Sequence, residues 1–141
     1  MHNHIIMKIE KTLTPIQQDI DFLTQKINEE TSDKGAAYPF AFFIRDDTHV
    51  IIAGCNGSVI FGAIYTDQLW VSPEDRKQGL GRKIMERVHQ YGLETGCHMA
   101  TVSTMNFQKA REFYEALGYQ CDFERPGYVE NSSCIFLIKK L

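Results

Sequence analysis

Apolar residues recur at helical spacing in three stretches of the chain. Ile16, Ile20, Leu23 and Ile27 lie four, three and four residues apart, which puts them on one stripe of a helix ending near Glu30. Thr14, Pro15 and Gln17 stand where a cap, a first helical residue and a capping-box partner belong, and the stripe is expected to face the core. Leu80, Ile84, Val88 and Tyr91 share one face of a second helix over residues 79–94, with Gly92 or Gly96 as its stop. Ala110, Phe113, Tyr114 and Leu117 form the inner face of a third, with Asn106 as its cap and Gly118 at the left-handed stop.

Between these helices the pattern is strand-like. Residues 5–10, Tyr38–Arg45, 50–55, 97–104, 119–124 and Cys134–Lys140 read as extended segments, and a further strand lies in 59–71 in some register. Asp46-Asp47-Thr48 is turn chemistry, and the small polar run 31–37 is a loop. Asn56-Gly57 suits a tight hairpin and suits a bulge equally. The order is strand, helix, three strands, helix, strand, helix, two strands. That alternation predicts one α/β domain over residues 1–141, with a single mixed sheet and helices on its faces.

The chain has 141 residues and a net charge of -3, enough for one self-supporting core and too few for two domains. No run of about 18 apolar residues occurs, so no membrane-spanning helix is expected, and no secretion leader is visible. Cys55, Cys97, Cys121 and Cys134 form no CxxC pair and lie in apolar segments. They read as reduced, buried thiols of a cytoplasmic protein, and no metal site is expected. His2 and His4 lack partner ligands and read as a solvated terminus. The mild acidity argues against a nucleic-acid binder.

One segment departs from that balance. Arg76, Lys77, Arg82, Lys83 and Arg87 place five of the 15 basic residues in twelve positions. They surround Gln78-Gly79-Leu80-Gly81, where a loop enters a helix. Glycines there let backbone N–H groups close around an anion, and the helix dipole favours negative charge. The segment lacks the GxxxxGK[ST] spacing of a nucleoside-triphosphate loop. Ile84 stands where a dinucleotide fingerprint needs its third glycine.

Arg76-Lys77-Gln78-Gly79-Leu80-Gly81 instead resembles the R/Q-x-x-G-x-G/A signature of the GNAT acetyltransferase superfamily, preceded by Leu69-Trp70-Val71-Ser72-Pro73 at the usual distance. The stretch from Asn106 to Tyr119 is similar to that family's N-x-x-A-x-x-F-Y-x-x-x-G-F/Y helix. The resemblance implies a central mixed sheet of about six to seven strands flanked by about three to four helices. It implies acetyl-CoA as cosubstrate, its pantetheine arm lying where the strand ending at Val71 parts from the strand 97–104. Leu69, Trp70 and Val71 would bond that arm. Arg76, Lys77, Gln78, Gly79, Leu80, Gly81 and Arg82 would hold the pyrophosphate, and Asn106 would bond the pantetheine side. Tyr114 would lie near the sulfur as general acid. Asp67, in a D/E-x-L-x-V pattern, is the candidate base.

An amine acceptor would then attack the thioester directly while both substrates are bound, alignment removing much of the entropic cost. A lysine-like amine is neutral in only about one part in 2,500 at pH 7, so a base has work to do. The cysteines sit in apolar settings that raise a thiol's pKa, which disfavours a covalent acyl-cysteine route. The acceptor groove implied by the family is formed by the first helix, its following loop and the last hairpin. Asp33, Tyr38, Glu124, Arg125, Tyr128 and Glu130 lie in those parts, and Tyr65, Asp67 and Trp70 add an aromatic and acidic wall. Small amines, polyamines and peptide amines remain open at this level. The alternative is a non-catalytic acyl-CoA sensor or regulatory module. Residues 134–138 are apolar enough to serve as an edge strand pairing with a second copy, so a homodimer is an expectation.

Overall fold

The computed structural model describes residues 7–141. The elements are α1 (Gln17–Glu30), β1 (Tyr38–Arg45), β2 (Ile51–Ile60), β3 (Ala63–Val71), α2 (Leu80–Glu94), β4 (Met99–Met105), α3 (Arg111–Ala116), β5 (Gln120–Arg125) and β6 (Cys134–Lys140). The described strands make one sheet in the order β1-β2-β3-β4-β6-β5. Every neighbouring pair is antiparallel except β3 and β4, which are joined through α2.

Local chemistry sets the turns. Asp46 Oδ1 accepts from the N–H of Thr48 at 2.8 Å and of Val50 at 3.1 Å, closing the β1–β2 connection. Phe61 (φ 46°) and Gly62 (φ 92°) make the two-residue turn from β2 into β3. Asn56-Gly57 is therefore a bulge site rather than a hairpin. Asn56 pairs with Gln68 while Gly57 pairs with Thr66, which leaves Asp67 as the extra residue on β3. Only glycine fits at 57, because a Cβ there would run into the Tyr65 carbonyl.

The core lies between the sheet and α2. Ile84, Met85 and Val88 of α2 meet Ala53, Cys55, Ile64, Ala100, Val102 and Leu137, all under 6% exposed. Gly92 permits this approach: a Cβ on it would lie 2.9 Å from Ile64 Cγ2. Tyr114 of α3 and Leu117 at its C-cap close the same core. Gly118 (φ 96°) ends α3 as expected.

Several expectations fail. The α1 stripe does not face the core: Ile16, Ile20, Leu23 and Ile27 are 43–64% exposed. The helix side of the sheet is already filled by α2 and α3, and α1 is held at its end, where Asn28 exchanges two 2.8 Å hydrogen bonds with the Ala37 backbone. Thr14 does not cap α1, since Ile16 is the N-cap residue and Gln17 Nε2 donates to Asp21 Oδ1 instead. Of the expected strand 5–10, residues 5 and 6 lie outside the described residues, as do His2 and His4. Residues 7–10 are exposed and not in a strand. Asn106 does not cap α3. It opens a 3₁₀ turn, and α3 begins later behind Ala110. β6 is an inner strand between β4 and β5, so residues 134–138 offer no edge to a second copy. Cys55, Cys97 and Cys134 are buried, Cys121 is half-buried, and all four are free thiols.

Candidate functional site

The parallel ladder of β3 and β4 stops at the pair Thr66–Val102, yet β3 runs on to Val71 and β4 to Met105. Past that pair the strands diverge. Leu69 and Val71 still pair with β2, at Cys55 and Ala53. Among the described residues their other flank has no strand partner, so its backbone donors and acceptors are unpaired except at the Val71 carbonyl, which accepts from Arg76.

A cleft of about 560 Å³ continues from this opening to the start of α2. Leu69, Trp70 and Val71 line one side, and Arg76, Lys77, Gly79, Leu80, Gly81 and Arg82 line the α2 end. Lys77 (φ 64°) and Gly79 (φ 80°) are both left-handed, which turns the loop tightly into the helix. The first described α2 bond from this turn is Lys83 N–H to Gly79 C=O, 3.0 Å, so the amides of Leu80, Gly81 and Arg82 have no carbonyl one turn back. No acidic residue occupies the first turn of α2, while Arg82 does. Cations at a helix N-terminus oppose the dipole, a local conflict that a bound anion would relieve.

The expected cation cluster divides. Arg76, Lys77 and Arg82 line the cleft. Arg76 also turns back, its Nε donating to Val71 C=O at 3.0 Å and tying the loop to the strand end. Arg87 lies against β1, its guanidinium 5.1 Å from the Phe42 ring and near Glu94. Gln78 and Lys83 are not among the lining residues. The α3 side of the cleft supplies Gln108, Lys109, Ala110, Phe113 and Ala116, and the loop supplies Asp75. None of these was singled out as a site residue from sequence. Phe113 faces Gly81, where an added Cβ would approach the ring to 3.3 Å, a contact between two elements that no spacing in the sequence signals.

Tyr114 and Asn106 are not on the cleft wall. Tyr114 is 7% exposed, its ring edge-on to Phe113 at 5.1 Å and to Tyr119 at 5.4 Å. Burial, with the neighbouring Cys55 thiol second, pushes its hydroxyl up to about 12. Cys55 is itself pushed up to about 11 by burial, so both groups keep their protons at neutral pH. Asn106 is committed to the last connection: its N–H donates to Ser133 C=O at 3.0 Å and its Oδ1 accepts from Ser133 N–H at 3.2 Å. Asp67, at the bulge, is exposed and accepts from the Tyr65 hydroxyl at 3.3 Å. Burial is the main cause that raises the Tyr65 pKa, the Ser103 hydrogen bond opposes it, and the Asp67 charge adds to it.

The geometry is thus an open seam between two parallel strands that leads to an anion-ready helix start. A family model described as "Acetyltransferase (GNAT) domain" matches residues 39–121. The chain belongs to the GNAT acetyltransferase family. This GNAT domain is 36% identical over 66 residues to the thialysine N-epsilon-acetyltransferase of Bos taurus, a match covering 46% of the chain and 39% of that relative. It is 32% identical to the blasticidin-S acetyltransferase of Streptomyces morookaense over 72% of the chain and 75% of that protein. The chain thus spans about two-fifths of the length of the bovine relative and three-quarters of the bacterial one. A solved acetyltransferase from Bacillus cereus ATCC 14579 shares the GNAT fold with a TM-score of 0.73 at 20% identity, covering 94% of this chain and 98% of that one. Among the described residues no group of three or more His, Cys, Asp or Glu could hold a metal, and no helix is long and apolar enough to cross a membrane.

Proposed function

We propose that this chain moves the acetyl group of acetyl-CoA to a primary amine by direct attack within a ternary complex. The carrying observation is the cleft that joins the β3–β4 opening to the bare amides of α2. A diphosphate suits the α2 end, where Leu80, Gly81 and Arg82 offer N–H groups and Arg76, Lys77 and Arg82 offer charge. An extended amide-bearing arm suits the β3 flank, which presents strand-type donors and acceptors along Leu69–Val71. Acetyl-CoA has both parts in that order.

In this reading the amine nitrogen forms a bond to the acetyl carbon, the carbon–sulfur bond breaks, and the thiolate takes a proton. Tyr114, behind Phe113 rather than on the cleft wall, is assigned the proton for that sulfur, and the second proton that the nitrogen sheds on becoming an amide restores it. Asp67, exposed on β3 and hydrogen-bonded by Tyr65, receives the proton of the incoming ammonium directly or through water. The amine class itself, small amine or peptide amine, follows from neither residue.

The test is thermal unfolding with acetyl-CoA, ATP and NAD in parallel, followed by thiol release with a panel of amines. Acetyl-CoA at 100 times its dissociation constant adds about 2.7 kcal/mol, a rise of several degrees for a domain of this size. A rise confined to CoA species with amine-dependent thiol release is expected. No rise at saturating acetyl-CoA would end the proposal.

A further inference from the structure

On the sheet face away from α2, Phe43, Gly54 and Trp70 stand in register across three strands. Gly54 is the floor: a Cβ there would lie 2.5 Å from Phe43 Cδ1, so the ring lies across the glycine. Phe43 and Trp70 are about half exposed and wall a pocket of about 290 Å³, whose end is closed by the pair Asn56–Gln68. Asn56 Oδ1 is buried from water and has no hydrogen-bond partner among the described residues. An orphaned buried acceptor is costly, and Asn56 recovers that cost when its amide turns toward a donor brought into the slot. Trp70 lines both this slot and the acetyl-CoA cleft, and Asp67 precedes Gln68 at the bulge, so the slot opens beside the proposed chemistry.

We propose that this slot binds the recognition group of the acceptor: a neutral, planar group with N–H donors, a carboxamide or an amino-substituted heteroaromatic ring. The inference rests on the amine-acetylation reading and deepens it by naming what the acceptor carries besides its amine. Two aromatic walls over a glycine floor match a flat ring, which gains offset or edge contacts on both sides. Asn56 Oδ1 demands a donor. Neutrality follows from the charges present. Among the described residues no carboxylate lines the slot, and the Arg45 guanidinium already sits 5.7 Å from the Phe43 ring, so a cation would meet repulsion without a counterion in the slot. The volume holds one ring-sized group, not a whole acceptor.

Trp70 is the chain's single tryptophan, so its indole N–H gives one isolated resonance in a proton–nitrogen spectrum. Benzamide is the probe, with acetophenone as its donor-less isostere and benzamidinium as its cationic one. Benzamide is expected to shift that resonance saturably, with acetophenone about tenfold weaker and benzamidinium weaker than benzamide. Asn56→Leu is expected to abolish the preference for benzamide over acetophenone. If Asn56→Leu fails to fold, Phe43→Ala, at an exposed wall position, is expected to weaken benzamide about tenfold. An unsaturable shift, equal binding of benzamide and acetophenone to the parent protein, or tighter binding of benzamidinium would each overturn the slot assignment. None of these readings uses acetyl-CoA. Failure here leaves acetyl transfer standing, and failure of acetyl-CoA to stabilise the protein leaves the slot measurement intact.

Discussion

Tyr114 carries the sharpest consequence at the level of single residues. Its hydroxyl is pushed up to about 12, first by burial and then by the nearby Cys55, so it holds its proton throughout the neutral range. A held proton suits a donor to a departing thiolate and does nothing for ground-state binding. Tyr114→Phe is therefore expected to lower kcat by about 10²–10⁴-fold while the acetyl-CoA-induced rise in Tm is kept. Thiol-release kinetics and thermal unfolding on the same preparation check this, and unchanged kcat would remove Tyr114 from the chemistry. A motif in the sequence names Tyr114, and its part in the chemistry is what this variant tests. Phe113 was not legible from sequence, because its part in the cleft depends on facing Gly81 across two elements, a contact no local spacing reports. Asn56 escaped for the same reason. Whether an amide oxygen is orphaned depends on the strands beside it.

Periodicity reads elements well where one face alone is buried. α2 shows this: Ile84 and Val88 from the expected face are in the core, and Gly96 follows its end. β1 and β6 have the expected bounds. The Asn56-Gly57 ambiguity could not be resolved locally, because hairpin and bulge use the same residues and only the β2–β3 register separates them. The junction of α2 with α3 and β6 also carries a titrating device. His89 Nε2 of α2 lies 2.7 Å from the Tyr119 hydroxyl, and the ring's tautomer sets which of the two donates. Burial, helped by the charge of Lys139, lowers His89 to about 4 from an ordinary 6.5. The unfolded chain thus binds this proton at higher pH than the folded one. Stability contributed by neutral His89 is complete above pH 6.5 and is lost as pH falls towards 4, by about 2 kcal/mol. His89→Gln keeps an acceptor for Tyr119 without a titrating ring. Urea unfolding between pH 4 and 7 is expected to show a shallower pH dependence in the variant, and parallel curves would refute the assignment.

For the molecule as a whole, the class and the order of elements from the first helix onward were legible, and the leading strand and the sheet order were not. A run such as 134–138 is apolar whether it lies at an edge or inside. Only the placement of β6 between β4 and β5 decides, and it turns an expected dimer edge into an inner strand. α1 makes the same point from the other side. Its heptad-like stripe states that one face is apolar, not what covers it. With Ile20 at 43% and Leu23 at 57% exposed, the pair contributes little to the fold of one chain. Ile20→Ser with Leu23→Ser is expected to cost under about 1 kcal/mol in urea unfolding of dilute protein. Leu137→Ala, at a site 1% exposed, is expected to cost about 2–5 kcal/mol by leaving a cavity under α2 and α3. The contrast fixes where the core ends. If the double substitution instead cost as much as Leu137→Ala, the stripe would be covered in solution. A dependence of that cost on protein concentration would then separate a second copy from this chain's own segments as the cover.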